Sequence, residues 1–265
     1  MRSLSIVIPA HNEQDNIPST LRSIPVERLR SLGMDVEILV VDNASTDDTG
    51  RLAAEHGARV LVQPVLGYGN AYKAGFANCR GDLIATGDAD LTYPFEILPE
   101  VLRLFEAERL DFLSTNRMAQ LRADAMTRSH VWGNRALSTI TRALFGVPFR
   151  DSQSGMWVFR RDVWNRCRVL AGGMAFSQEL KIEAFRNGFR CAELPIEYRP
   201  RGGEAKLRTV RDGARNTLHL LAHRTRSAQD VPPTHMLLLG QGPIRRPQPA
   251  LVPAPVVLDA SESVA

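Results

Sequence analysis

Two aspartates one residue apart, Asp88 and Asp90, follow the apolar run Leu83-Ile84-Ala85 in the string "TGDADLTYP". In an extended segment, side chains at i and i+2 share a face, so both carboxylates can enter one cleft. Two further apolar runs end the same way: "LSIVIP" leads into "PAHNE" and "VEILVV" into "VDNASTDDT". Adjacent carboxylates raise each other's pKa and repel unless hydrogen bonds or a cation compensates. A divalent ion shared with a polyphosphate would do so, because Mg²⁺ or Mn²⁺ takes hard oxygen ligands and Mg²⁺ typically uses one or two protein carboxylates plus substrate phosphates. Taken alone, D-x-D reads equally well as a helix cap beside a solvated turn; three acidic loops together favour a metal-diphosphate site.

For those loops to meet, the runs before them must be neighbouring parallel strands. The first half alternates short β-branched runs with helical patterns: "LSIVIP" then "NIPSTLRSI", "VEILVV" then "TDDTGRLAAEHG", "ARVLVQ" then "NAYKAGFANC", "DLIATG" then "PFEILPEVLRLFEAERL", and "DFLST". Strands apolar on both faces predict an α/β fold with a mostly parallel central sheet flanked by helices, whose ligands gather beyond the strands' carboxyl ends. The second half predicts helices near Arg128 to Leu144 and Phe176 to Asn187, then a strand in "RCAELPIEY". "GYGNAYKAG" lacks the dinucleotide-binding glycine spacing, so its glycines are expected to allow close backbone approach. Trp132, Trp157 and Trp164 are expected in the core.

With 265 residues, 44% of them hydrophobic, the chain can bury a large core, and a net charge of +4 does not point to nucleic acid. Three dispersed cysteines, Cys79, Cys167 and Cys191, argue against a disulfide scaffold or zinc site and fit a reducing cytoplasm. The opening apolar run is too short for a signal-peptide core, and no window reaches the roughly 18 apolar residues of a spanning helix, so membrane contact is expected to be peripheral. Basic residues collect between Arg199 and Arg226, which could face anionic lipid. Expected domains are residues 1–226, with halves 1–117 and 118–226, and a Pro-rich tail over 227–265 that forms no packed element.

Six ordered strings, "VIPAHNEQDNI", "VVDNASTDDT", "GYGNAYKAGF", "GDADLTYP", "DSQSGMWVF" and "ELPIEYRPRGGEAKL", resemble the family 2 glycosyltransferases, within the branch containing dolichyl-phosphate mannose synthase and other polyprenyl-phosphate hexosyltransferases. The resemblance covers roughly residues 4 to 212 and implies a GT-A fold with a nucleotide-sugar-binding half and an acceptor half. It implies that Pro9, Ala10, Asn12, Glu13 and Asp42 hold the base and ribose of a nucleotide sugar. Asp88, Ala89 and Asp90 would form the D-x-D motif at the diphosphate, with both aspartates holding Mg²⁺ or Mn²⁺ and Asp90 the direct ligand. On the acceptor side it places Arg117, Asp151 and Gly155 of the D-x-x-S-G string, Glu179, and the phosphate-gripping pair Arg201 and Lys206. Thr92 stands where many such synthases carry Gln, and Ala205 where they carry Ser.

The reaction implied is inverting transfer of a hexose from GDP-mannose, UDP-glucose or a UDP-N-acetylhexosamine to a polyprenyl phosphate. A lipid monophosphate is mostly dianionic at neutral pH and needs no protein base, whereas a hydroxyl acceptor would need a carboxylate, with Asp151 or Glu179 the candidates. Without the motifs, Asp151 reads as a turn or cap, Glu179 as a solvated helix face, and Arg201 and Lys206 as a solvated basic loop. Two other classes stay open, a nucleotidyltransferase and a non-catalytic sugar-nucleotide binding module. A nicotinamide oxidoreductase is disfavoured by the missing fingerprint after the first strand.

Overall fold

The computed structural model describes residues 2–122 and 124–202 and the strand pair of residues 237 and 238. Its elements run β1 (Arg2–Ala10), α1 (Ile17–Ser23), α2 (Val26–Ser31), β2 (Met34–Asp42), α3 (Thr49–Glu55), β3 (Arg59–Val62), α4 (Tyr68–Asn78), β4 (Leu83–Thr86), α5 (Leu98–Ala107), β5 (Phe112–Leu121), α6 (Arg128–Phe145), β6 (Trp157–Arg160), α7 (Arg161–Arg166), α8 (Phe176–Arg186), β7 (Cys191–Tyr198) and β8 (Leu237–Leu238). The sheet order is β3-β2-β1-β4-β6-β5-β7-β8.

Side-chain alternation divides the core between the sheet's two faces. Leu4, Ile6 and Ile8 of β1 join one cluster with Leu21, Leu29 and Phe105, while Val7 joins the other with Tyr72, Phe76, Trp157 and Phe176. Burial on both faces is why β1, β2 and β4 read as near-continuous apolar runs.

β1 pairs in parallel with both β2 and β4, Ala10 lying opposite Asp42 and Val7 opposite Thr86. The loops after these three strands therefore share one rim, as the sequence predicts. β6, to which the sequence reading assigns no element, runs antiparallel to β4 and to β5. Its first residue is consequently at the rim where β4 ends, which carries the string Asp151 to Gly155 to the same place.

Leu237 and Leu238, inside the stretch expected to form no packed element, pair with Ala192 and Glu193 of β7. The rest of that Pro-rich stretch, most of the basic segment from Arg199 to Arg226, and Lys206 lie outside the described residues. Cys79, Cys167 and Cys191 are buried and free. Among the described residues no helix is long and apolar enough to cross a membrane.

Candidate active site

Three loops build the rim, and each contains a non-glycine residue in the left-handed region: Asn12 (φ 53°), Ala44 (φ 57°) and Leu91 (φ 68°). Such conformations cost of order 1–3 kcal/mol each and persist where the surroundings enforce them. Side chains from neighbouring loops supply that enforcement. The Asn12 amide oxygen accepts from Thr46 N–H at 2.8 Å, Ser45 Oγ accepts from Asn12 N–H at 3.0 Å, and Asp42 Oδ1 accepts from Ser45 N–H at 3.1 Å. Thr49 Oγ1 accepts from Glu13 N–H at 2.7 Å. Of the residues expected to hold base and ribose, Ala10 and Glu13 are buried while Pro9, Asn12 and Asp42 are half-buried along the rim.

The D-x-D segment is fixed from both sides. Thr20 Oγ1 donates to the Ala89 carbonyl at 2.8 Å. Thr92 donates from Oγ1 to Asp90 Oδ1 at 2.6 Å and also gives that oxygen its N–H at 3.2 Å. Thr92 thus aims Asp90, a role its position alone does not reveal.

Arg201 closes the site. Its Nη2 donates to Glu13 Oε1, and its Nη1 lies 3.4 Å from Asp90 Oδ2. Gly202 N–H donates to the Asp90 carbonyl at 3.0 Å, and the Gly202 carbonyl accepts from Asn16 Nδ2 at 2.8 Å. Residues nearly two hundred positions apart in sequence are thereby joined around two carboxylates. Arg201 Nε is buried without a hydrogen-bond partner among the described residues, a charged donor left over for an anionic oxygen.

Asp88 is half-buried, and its Oδ1 lies 3.4 Å from Tyr68 Oη. Burial and the neighbouring Asp90 push its carboxyl up to about 7, against the opposing pull of Arg117 and Arg201. Asp88 and Asp90 therefore present hard oxygen donors and a negative charge whose cost is not fully offset, which fits a divalent cation. Among the described residues no three His, Cys, Asp or Glu side chains are grouped to hold a metal alone, so remaining ligands would come from a bound diphosphate and water.

Gly155 lies beneath these groups. A Cβ there would fall 2.2 Å from Tyr68 Oη and 3.4 Å from Asp88 Oδ1. Its N–H donates to Tyr93 Oη at 2.7 Å, and its carbonyl accepts from Thr86 Oγ1 at 2.8 Å and from Tyr72 Oη at 3.3 Å. Gly155→Ala is accordingly expected to push Tyr68 off Asp88 and to cost about 1–3 kcal/mol. Urea unfolding of this variant beside Tyr68→Phe measures both effects; an Ala variant as stable as the parent would exclude the close approach. Tyr68, Tyr72, Tyr93 and Thr20 are site residues that sequence reasoning missed, though the three tyrosines lie within strings it singled out.

Two acceptor-side expectations need correction. Asp151, a candidate base, is fully buried and accepts from Arg117 Nε at 2.8 Å, Arg117 Nη2 at 3.0 Å, Arg117 N–H at 3.0 Å and Gln153 N–H at 3.1 Å. Although burial works the other way, Arg117 holds its carboxyl below the usual carboxylate range. A carboxylate so occupied is a poor proton acceptor; it positions Arg117. Glu179 is not a solvated helix residue: it is 1% exposed and its Oε2 accepts from Ala171 N–H at 2.7 Å. That bond shapes the 171–172 turn on which α4 packs, where Gly67 and Gly69 allow approaches that a Cβ would bring to 2.4 Å from the carbonyls of Gly172 and Ala171.

Behind Asp151 lies a second buried layer. Glu193 accepts from the N–H groups of Arg150 and Asp151 and from Asn116 Nδ2, and Lys181 Nζ donates to the Asp151 carbonyl at 2.7 Å. Burial pushes Lys181 down to about 7 and Glu193 upward, each toward its neutral form. Arg117 also stacks on Tyr198, 5.2 Å from the ring centroid, and its charge reaches Asp88 and Tyr93. Arg117 and the Asp88–Asp90 pair are therefore electrostatically linked, with Asp151 and Glu179 buried behind them.

Residues 5–167 match the family described as Glycosyl transferase family 2. This chain belongs to that family. It is 36% identical over 223 residues to the low-salt glycan biosynthesis hexosyltransferase Agl6 of Haloferax volcanii, covering 83% of this chain and 54% of the relative. Over 211 residues it is 34% identical to the dolichyl-phosphate hexose transferase of the same organism, covering 80% of this chain and 89% of the relative. A solved structure of glucosyl-3-phosphoglycerate synthase from Mycobacterium tuberculosis with Mn²⁺, UDP and phosphoglyceric acid aligns with a TM-score of 0.66 at 26% identity, covering 84% of this chain and 78% of that one. The glycosyltransferase chain described here thus has the GT-A fold. It spans about half the length of the first relative and most of the second.

Proposed function

We propose that this glycosyltransferase moves a hexose, with inversion, from a nucleoside-diphosphate sugar to a polyprenyl phosphate, with Mg²⁺ or Mn²⁺ as the cation that Asp88 and Asp90 would hold at the donor diphosphate. The observation that carries the acceptor assignment is that Asp151 and Glu179, the two carboxylates that sequence reasoning offered as bases, are both buried and committed to backbone or arginine partners. A phosphate nucleophile arrives already ionised, so such a site needs positive charge for positioning rather than a base.

In this reading Pro9, Ala10, Asn12, Glu13 and Asp42 line the base and ribose subsite, and Asp88 and Asp90 would hold the cation. When bound, the cation supplies Lewis-acid stabilisation of the charge that develops on the departing nucleoside diphosphate. Arg201 exchanges its carboxylate partners Glu13 and Asp90 for phosphate oxygens as the donor fills the site, and Lys206 adds a second positive charge to that grip. Arg117, held flat by Asp151 and Tyr198, orients the acceptor phosphate for in-line attack, and Gly155 leaves the space in which the sugar meets it. The residues 1–117 and 118–226 form the donor and acceptor halves. The names of the relatives, a dolichyl-phosphate hexose transferase and an undecaprenyl-phosphate 4-deoxy-4-formamido-L-arabinose transferase of Klebsiella pneumoniae at 32% identity over 80% of this chain, support a lipid-phosphate acceptor and a peripheral station at a membrane.

Incubation with labelled GDP-mannose, UDP-glucose or UDP-N-acetylglucosamine and a polyprenyl phosphate tests the proposal. Label transferred to lipid supports it. Transfer to a soluble hydroxyl, pyrophosphate release, or binding without product would replace it with the hydroxyl-acceptor enzyme, a nucleotidyltransferase or a binding module.

A pH dependence follows from Asp88. With its carboxyl at about 7, it is mostly protonated at pH 6 and mostly ionised at pH 8, and a bound cation must displace that proton. Mn²⁺ affinity in the presence of UDP is therefore expected to rise about tenfold from pH 6 to pH 8, with proton release. Calorimetry in buffers of different ionisation enthalpy measures both, and a flat affinity would remove Asp88 from the cation's ligands.

A further inference from the structure

The helix α6 presents a long outward face. Of the 18 residues from Arg128 to Phe145, only Ser138 and Thr141 are buried. Val131, Leu137, Ile140, Leu144 and Phe145 are half-covered, and Trp132, expected in the core, is 71% exposed. Arg128, Arg135 and Arg142 are exposed at intervals of seven residues, which on a helix is one stripe along the axis. Trp132, Ala136 and Ala143, also exposed, lie beside that stripe and lead round to the half-covered Ile140 and Leu144.

The charge is of one sign. No Asp or Glu occurs from Ala125 to Arg150, and no ion pair between described residues involves Arg128, Arg135, Arg142 or Arg150. An ordinary solvated helix face intersperses acids with bases. An arginine row beside an exposed indole and partly covered aliphatic side chains suits the headgroup layer of a bilayer, where indoles collect and an apolar flank sinks a few ångströms.

α6 is also tied to the site. Ser138 Oγ accepts from Ser152 N–H at 3.0 Å and lies 3.1 Å from Ser152 Oγ. Ser152 is the residue after Asp151, which grips Arg117.

We infer that the outward face of α6, Arg128, Trp132, Arg135, Ala136, Arg142 and Ala143, is the surface by which this protein lies on an anionic lipid bilayer. The helix rests in the headgroup plane and sets the acceptor-side arginine at the height of lipid phosphates. This deepens the polyprenyl-phosphate reading and rests on it for its purpose, but lipid binding is measured without donor or acceptor, so the two can fail separately.

The test uses the full chain and vesicles of phosphatidylglycerol in phosphatidylcholine. At low salt the wild type is expected to sediment with them, and the triple variant Arg128→Gln, Arg135→Gln, Arg142→Gln to partition about a hundredfold more weakly, given the free energy of each basic residue at such a surface. In vesicles with brominated acyl chains the wild-type tryptophan emission is quenched, and Trp132→Phe abolishes most of that quenching, since Trp157 is buried in the core and the half-covered Trp164 packs against Phe76 and Phe176. Circular dichroism checks that both variants are folded. Wild-type protein left in the supernatant, a triple variant that binds as well as its parent, or quenching undiminished in Trp132→Phe would each overturn the inference. Transfer to a detergent-solubilised short-chain prenyl phosphate should be equal in wild type and triple variant. Failure of both to transfer would refute the acceptor assignment while leaving the vesicle result standing.

Discussion

Asp90→Asn is expected to give a folded protein whose cation-dependent transfer is lower by about 10²–10³-fold or more, the scale on which removal of a charge-stabilising group acts at a reacting centre. The fold survives because an amide oxygen can still accept from Thr92 Oγ1 and Thr92 N–H, the bonds that hold the Asp90 turn. What disappears is the charge on the oxygen facing Arg201. Transfer rates at saturating donor, with thermal unfolding as the control, separate the two effects. Near-normal turnover would remove Asp90 from the cation's ligands and with it the donor half of the proposed mechanism.

The largest expected loss of stability is at Asp151→Asn. That change leaves the Arg117 guanidinium buried without its counter-charge, and breaking a buried pair from one side costs about 3–5 kcal/mol. Urea unfolding measures the loss, and the double variant Asp151→Asn, Arg117→Met should recover part of it, because an apolar side chain leaves no orphaned charge. The pH profile has a definite sign. Since Arg117 lowers the carboxyl's folded pKa, the pair's contribution is complete above the unfolded value of about 3.9 and is lost as pH falls through the lower folded value. The Asn variant lacks that acid-side decline. Equal stability of variant and parent at neutral pH would show that the pair carries no structural weight.

The rim was legible in the sequence because parallel strands buried on both faces leave an unmistakable record: apolar runs ending abruptly in acid. Asp88, Asp90, Glu13 and Asp42 could be assigned to one edge from that record alone. β6 was not legible, since Met156 to Phe159 is a short apolar run between a polar string and a helix, with no alternation to mark it. Nor could sequence decide between a carboxylate that acts and one that supports. Asp151 and Glu179 have the residue type of a base, and only the structure shows them buried, with Arg117 on one and Ala171 on the other. The tyrosines escaped for a related reason: the hydroxyls of Tyr68, Tyr72 and Tyr93 gain meaning only through contacts with Gly155 and Asp88, remote in the chain.

The reversed direction of β6 has one further consequence. β5 ends and β6 begins on the same side of the sheet, so the stretch from residue 122 to residue 156 is an excursion that departs and returns at neighbouring points. Its length is not dictated by the strands around it. Among the described residues only its final stretch, Asp151 to Gly155, is tied to the rim, through Arg117, Tyr93 and Thr86, so a change of length before Asp151 is the one this scaffold absorbs with least effect on the donor loops.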